Sequence, residues 1–105
     1  MPREQFQTLS EPMYYVLLTL ISECCGIDIM KRVEEISGGR VVVGPGTVYA
    51  MLDKFVKAGV IKQTAREGRK RSYIITPYGR SLLIAEYRRS QLLFNDGKSV
   101  LEAFE

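Results

Sequence analysis

Residues 43–57 read VGPGTVYAMLDKFVK, and this stretch predicts an amphipathic helix that opens at Gly44-Pro45-Gly46-Thr47. At about 100° per residue, its apolar side chains fall within an arc of about 140°, with the polar side chains opposite. The apolar arc holds Val48, Met51, Leu52, Phe55 and Val56. The opposite face holds Thr47, Ala50, Asp53, Lys54 and Lys57, with Tyr49 on the boundary. The exposed face is therefore slim and polar, and Gly59 ends the helix.

A basic β-hairpin is predicted directly after this helix, over Ile61–Thr76. One strand covers Lys62–Ala65, a turn lies at Arg66–Arg69 around the Glu67-Gly68 pair, and Lys70–Thr76 returns with strand-like alternation. The tip of the hairpin carries four cations in six residues, namely Arg66, Arg69, Lys70 and Arg71.

Two shorter helices are predicted upstream of residue 43. The first covers Pro12–Cys24 and the second covers Ile27–Ser37, because apolar residues recur at helical spacing in both and glycines interrupt the pattern. The core-facing residues are Val16, Leu17, Leu20 and Ile21 in the first helix, and Ile29, Met30, Val33 and Ile36 in the second. The β-branched run Arg40–Val43 predicts a short strand. The adjacent Cys24 and Cys25 are interpreted as small apolar residues that end the first helix, with a redox sensor or an intermolecular disulfide as the alternatives.

A long helix is predicted from Thr76 at the N-cap and Pro77 at the first position to the region of Glu105. Its apolar residues cover an arc of about 220°, which is wider than one side of a small core can hide, so a partner helix is expected. Asn95-Asp96-Gly97 could bend or interrupt this helix. We accordingly divide the chain into a winged-helix domain (1–76) and a C-terminal dimerisation helix (77–105).

The chain has 105 residues and no histidine, and this length allows one globular domain. The absence of histidine removes the commonest general base and the commonest metal ligand, which argues against a catalytic triad or an ordinary zinc enzyme. We therefore expect a protein that is not an enzyme and has no cofactor or metal. The opening residues MPREQF show no signal-peptide pattern, and the longest apolar run, Met13–Ile21, is too short for a membrane span. We expect a cytoplasmic protein without a membrane partner.

The positive charge is concentrated in the middle of the chain. The formal net charge of +3 resolves into −3 for residues 1–37 (three Lys and Arg against six acids), +6 for residues 38–79 (eight against two) and 0 for residues 80–105 (four against four). A cationic segment between neutral or acidic segments indicates a polyanionic partner on one surface.

Three helices followed by a basic hairpin form the winged helix-turn-helix pattern, a mainly α fold with a small β-hairpin. The third helix of this fold enters the major groove of double-stranded DNA, whose width admits one α-helix. Thr47, Ala50 and Lys54 give that helix the slim polar face it needs, and Gly44 and Gly46 let the backbone approach a phosphate at the positive end of the helix dipole. The hairpin tip then reaches the flanking DNA backbone or minor groove.

The sequence also resembles the PadR family of transcriptional regulators over nearly its whole length. The most specific matches are the Pro45-Gly46-Thr47-x-Tyr49 stretch and the Gly68-Arg69-x-Arg71-x-Tyr73 wing. The remaining matches are Leu9-Ser10-Glu11, Gly26-Ile27-Asp28-Ile29, Leu52, Gly59-Val60-Ile61 and Ile75-Thr76-Pro77-Tyr78-Gly79. The short region after the wing resembles the compact subgroup with one C-terminal helix.

The resemblance implies a homodimeric winged-helix repressor, with the last helix forming the dimer. Two copies of the third helix would then lie one DNA turn apart on a near-palindromic operator. By position, the DNA contacts fall on Pro45, Gly46, Thr47, Tyr49, Ala50, Lys54, Arg69, Lys70 and Arg71. The dimer interface falls on Leu82, Leu83, Tyr87, Leu93, Phe94, Val100, Leu101 and Phe104. The family usually has tyrosine after the glycine of the second helix, whereas this chain has Ile27, so the resemblance does not carry over a backbone or base contact made by that tyrosine.

Members of the compact subgroup include proteins that bind planar apolar drugs in a pore at the dimer interface, with a tryptophan on the last helix. This chain has no tryptophan and carries the polar run Arg88-Arg89-Ser90-Gln91 in that region. A small apolar or aromatic effector is thus a further hypothesis, with Tyr87, Phe94 and Phe6 as the aromatic residues that could line its site.

A different class of function remains open from the sequence. Many winged helices bind proteins rather than nucleic acid, so the fold alone does not decide the function. The alternative is a protein-interaction module that docks through its C-terminal helix. The basic wing and the uncluttered face of the third helix favour DNA binding.

Overall fold

The computed structural model describes residues 9–104, which form four helices and a three-stranded antiparallel sheet. The elements in chain order are α1 (Glu11–Thr19), β1 (Cys24–Cys25), α2 (Gly26–Ile36), α3 (Pro45–Lys57), β2 (Ile61–Glu67), β3 (Lys70–Ile75) and α4 (Pro77–Phe104). This order is the winged helix-turn-helix arrangement, so the predicted fold class is confirmed.

The first predicted helix is too long by five residues, because α1 ends at Thr19 rather than at Cys24. Cys24 and Cys25 instead form β1, which pairs with Tyr73 and Ser72 of β3. The interpretation of the two cysteines as a helix end is therefore wrong, since their backbone groups are used in the sheet. Both thiols are free, and burial raises the pKa of the Cys24 thiol.

No strand forms at Arg40–Val43, contrary to the prediction. The backbone is extended enough to bury Val41 and Val43 and to leave Val42 exposed, but within residues 9–104 no strand pairs with it to complete a ladder. Its backbone is tied to the end of α2 instead, where the N–H of Val41 donates to Oγ of Ser37 at 3.0 Å. The β-branched run therefore gives an extended segment without the hydrogen-bonded neighbour that a strand needs.

The hairpin of β2 and β3 is confirmed, with a shorter turn than predicted. Arg66 pairs with Arg71 and Glu67 with Lys70, so only Gly68 and Arg69 remain in the turn. Gly68 has φ of 60°, a conformation that a residue with a Cβ adopts with difficulty and that a two-residue hairpin of type II′ needs at its first position. This hairpin is the wing of the winged-helix fold.

The core lies between the three short helices and the sheet. Its fully buried large side chains include Leu17 of α1, Ile29 of α2, Phe55 of α3 and Ile61 of β2. Three residues expected in the core, Ile21, Ile36 and Val56, are about half exposed. Ile21 lies beyond the end of α1, and the other two lie in the last turns of α2 and α3.

Helix α4 begins against the core and then leaves it. The N–H of Gly79 donates to Oγ1 of Thr76 at 3.1 Å, so Thr76 caps α4 as predicted. The helix is continuous over 28 residues, including Asn95-Asp96-Gly97, which does not interrupt it. Its buried residues all lie in its first ten positions: Gly79, Leu83 and Glu86. The remainder projects away from the core and makes the molecule 56 Å long.

Glu86 is a buried carboxylate that the sequence did not mark as one, with 6% of its surface exposed. It accepts hydrogen bonds from Nε of Arg89 at 3.1 Å and from the backbone N–H of Leu9 at 3.5 Å. The Arg89 guanidinium lowers the pKa of Glu86, so the carboxylate stays ionised. The pair ties the segment before α1 to the first half of α4.

Candidate nucleic-acid interface

The N-terminus of α3 is exposed and carries no side-chain cap. Gly44 is the N-cap, without a side-chain hydrogen bond, and residues 44–47 are all exposed. The first backbone N–H groups of a helix have no partner inside it and lie at the positive end of its dipole. Those of Gly46 and Thr47 are thus available to a phosphate oxygen.

The exposed face of α3 divides into two stripes that share Ala50. One stripe, with Gly46, Thr47 and Lys54, borders a shallow groove of about 370 Å³ next to Met13 of α1. The other, with Tyr49 and Asp53, faces the wing. Ala50 carries only a methyl group, so a DNA duplex can approach α3 closely at this point.

The wing-facing stripe and the wing together enclose a cleft of about 340 Å³. Three guanidinium groups line it on the wing side, those of Arg66, Arg69 and Arg71, while Tyr49, Ala50 and Asp53 line it on the α3 side, with Tyr73 completing its walls. Arg66 is held by a hydrogen bond from Nε to the carbonyl oxygen of Gly68 at 3.1 Å. A guanidinium presents a planar fork of donors to phosphate, so the cleft is suited to a phosphate backbone.

Tyr49 occupies both the edge of the core and the exposed face. Its ring lies against Gly26 at the start of α2, where a Cβ would come within 2.7 Å of Cε1. At the same time, 44% of Tyr49 is exposed. Tyr49 therefore packs at the edge of the core and still presents part of its ring to solvent.

The structure brings most of the predicted contact residues to this surface. Gly46, Thr47, Tyr49, Ala50, Lys54, Arg69 and Arg71 line the groove or the cleft. Pro45 is exposed at the first turn of α3. Lys70 is exposed but does not line the cleft, because neighbouring residues of a strand point to opposite faces.

Asp53 and Arg66 also line the cleft, although neither is among the predicted contact residues. Asp53 lies four residues after Tyr49 and three after Ala50, a spacing that places all three on one side of a helix. The strand pair Arg66 and Arg71 was not visible before the true turn was known.

A second exposed surface runs along the outer part of α4. Seven large apolar residues, each more than half exposed, form what we call the α4 apolar face: Tyr87, Leu92, Leu93, Phe94, Val100, Leu101 and Phe104. Leu82 is half-buried and Leu83 is buried in the chain's own core. Leu83 therefore has little surface to give to a second copy, unlike the residues further along the helix.

A cavity of about 390 Å³ lies between α1 and α4. Tyr87 and Phe94, two of the three aromatic residues expected at an effector site, line it, and Phe6 lies outside the described residues. Its other lining residues are Glu11, Tyr14, Tyr15, Ser90 and Gln91. Burial raises the pKa of Tyr14, so its hydroxyl remains protonated at neutral pH.

Glu11 and Tyr15 also hold the loop that leads into α3. Arg40 of this loop donates to Oε2 of Glu11 at 2.9 Å and to the hydroxyl oxygen of Tyr15 at 2.7 Å. The walls of the cavity and the segment before the N-terminus of α3 are thus joined by direct contacts.

Within residues 9–104, no three His, Cys, Asp or Glu side chains lie close enough together to hold a metal ion. Over the same part of the chain, every helix is too short or too polar to cross a bilayer.

Comparison with known proteins places this architecture among transcriptional regulators. The family model of the transcriptional regulator PadR-like family matches residues 16–85. The fold is similar to that of RosR from H. salinarum, with a TM-score of 0.70 and 22% identity over 91% of this chain and 89% of that one. A transcriptional regulator from Clostridium thermocellum has a TM-score of 0.71 and 24% identity, covering 86% of this chain and 89% of that one.

A curated relative is much longer than this chain. The 37.1 kDa protein in transposon TN4556 of Streptomyces fradiae is 34% identical over 61 residues, which are 58% of this chain and 17% of that protein. The chain thus spans about a sixth of the length of this relative.

Proposed function

Because the chain belongs to the PadR-like family of transcriptional regulators, we propose that it acts as a dimeric repressor on a near-palindromic operator. The family is one of DNA-binding regulators rather than of enzymes. The observation that carries the proposal is the cleft between α3 and the wing, in which three arginines face Tyr49 and Ala50. In this arrangement α3 reads base edges in the major groove while the wing arginines hold the adjacent phosphates.

The direct test is selection of bound DNA fragments from the source genome by the purified protein, followed by gel shift at 50–200 mM salt. We expect a small set of fragments with two half-sites about one turn of DNA, 34–36 Å, apart. If the protein is a repressor, these sites overlap promoters. The output of a reporter behind such a promoter then rises when the gene for this protein is deleted. Retention of random fragments alone would favour the protein-interaction module, with the α4 apolar face as its docking surface.

Dimerisation is proposed to use the α4 apolar face. Leu93, Val100 and Phe104 fall within about 40° of one another around α4, at about 100° per residue, and all are more than half exposed. An apolar stripe of this kind on a projecting helix is suited to a second copy of the same helix. We infer that the seam of the dimer runs along these three residues.

Replacing Leu93 and Val100 together with glutamate should raise the dimer dissociation constant at least about 100-fold, because each copy would bury two unpaired carboxylates in an apolar contact. Sedimentation velocity at micromolar protein concentration measures the mass of the particle. This mass should fall from twice the 11.9 kDa of one chain to that of a single chain. Asn95→Glu is the matched control, since it adds a carboxylate on the opposite side of α4. If the control dimer dissociates as readily as the double variant, or if the double variant remains a dimer, the seam lies elsewhere.

An effector, where one acts, is proposed to bind the cavity between α1 and α4. Three tyrosines and Phe94 favour a planar apolar or aromatic molecule. An occupant that displaces Glu11 or Tyr15 also changes the contacts of Arg40, and with them the placement of the loop before α3. Such an effector binds one arrangement of the dimer more tightly than the other. It thereby shifts the spacing between the α3 helices of the two copies.

A further inference from the structure

Helix α3 carries one acidic residue, Asp53, and it lies on the stripe that faces the wing. Its neighbours on the exposed surface, Lys54 and Lys57, are basic, as are the three arginines across the cleft. Within residues 9–104, Asp53 forms no ion pair with those arginines. The carboxylate is exposed and therefore acts across an open cleft.

The arginines of the cleft do not by themselves distinguish one DNA sequence from another. Phosphates occur along every duplex, and guanidinium contacts to them provide affinity without sequence information. A carboxylate on the opposite wall repels the same phosphates, because like charges interact unfavourably. Asp53 thus weakens the phosphate contacts, which contribute to the affinity for every DNA sequence alike.

The effect differs between an operator and other DNA because the position of α3 differs. When the N-terminal half of α3 is held by base edges, the next turn lies in the groove, where the amino groups of cytosine and adenine are hydrogen-bond donors to a carboxylate. When only phosphates hold the protein, the carboxylate of Asp53 meets phosphate oxygens. Specificity is the difference between these two affinities.

We propose that Asp53 is a specificity-determining residue, which weakens binding to non-operator DNA by repulsion across the arginine-lined cleft more than it weakens binding to the operator. The inference rests on the proposed DNA-binding function and on the position of this one carboxylate opposite Arg66, Arg69 and Arg71.

The test compares wild type with Asp53→Asn by fluorescence anisotropy at 50 and 200 mM salt. The probes are the selected genomic fragment and a shuffled duplex of the same length and composition. We expect the affinity for the shuffled duplex to rise about 3- to 10-fold at 50 mM salt, while the affinity for the genomic fragment changes less than about twofold. The gain should shrink at 200 mM salt, because salt screens exposed charges.

Two control variants separate charge from shape. Asp53→Glu keeps the charge and should retain most of the discrimination. Glu102→Gln removes one carboxylate from the side of α4 away from the α4 apolar face and should leave both affinities unchanged. Because Asp53 is exposed, its variants should melt at the wild-type temperature.

Two results would overturn the inference, and a third would remove the function on which it rests. If the affinity for both probes rises equally, Asp53 affects all DNA binding through its charge and does not discriminate between sequences. Loss of affinity for the genomic fragment, with no change on the shuffled duplex, would mean that Asp53 only contacts a base. Absence of specific binding by the wild type would instead remove the proposed function itself.

Discussion

Gly79→Ala is expected to lower the free energy of unfolding by about 3 kcal/mol or more, the upper range for overpacking. A Cβ at this position would lie 2.0 Å from the carbonyl oxygen of Val60 and 2.8 Å from Cγ1 of Ile75. The carbonyl belongs to the backbone that enters β2, so it cannot move without shifting the sheet. Gly79 is what allows the first turn of α4 to pack directly against the strand.

Urea unfolding followed by circular dichroism measures this loss at fixed protein concentration, because association changes apparent stability. Gly97→Ala is the matched control on the same helix. A Cβ at Gly97 meets open space, and alanine favours a helix interior by about 1 kcal/mol over glycine, so this variant should be more stable than wild type. A Gly79→Ala protein with wild-type stability would show that α4 does not pack as closely as described.

Replacing Arg69, Lys70 and Arg71 together with alanine should reduce operator affinity by about 100- to 1,000-fold at low salt. Each cation that neutralises a phosphate contributes about 0.9 to the slope of log affinity against log salt. The slope should therefore fall by up to about 2.7 for each wing. Anisotropy titrations between 50 and 200 mM salt give both quantities in one series.

The structure refines this prediction within the wing. Arg69 and Arg71 line the cleft and Lys70 does not, so the Arg69→Ala, Arg71→Ala double variant should account for more of the change than Lys70→Ala. A control triple variant at Arg80, Arg88 and Lys98 removes the same residue types from α4. If the salt slope of the wing variant is unchanged, or if the control variant loses as much slope, the wing does not contact the DNA.

The helices and the wing were predictable because their signals are local. Val48, Met51, Leu52 and Phe55 repeat with the helical period, and all four are buried against the core. Gly68 marks the turn of the hairpin because the turn needs its backbone conformation.

The errors arose where a segment's structure depends on a distant partner. Cys24 and Cys25 form a strand only because β3 offers them hydrogen bonds, and two residues are too few to show a strand period. Val41 and Val43 are buried in alternation like residues of a strand, but no strand within residues 9–104 pairs with them. Glu86 lies on a helix rich in charge, and its burial depends on Arg89 and on the backbone of Leu9.

The sequence by itself determined the winged helix-turn-helix class, the amphipathic α3 and the concentration of positive charge in residues 38–79, because periodicity, glycine positions and composition are properties of the chain. The tertiary structure alone decided that Asp53 and Arg66 join Arg69 and Arg71 around one cleft, and that Leu83 is inside the core while Leu93 is exposed. Those facts depend on how α3 sits against the wing and on where α4 leaves the core, and both follow from packing between residues far apart in sequence.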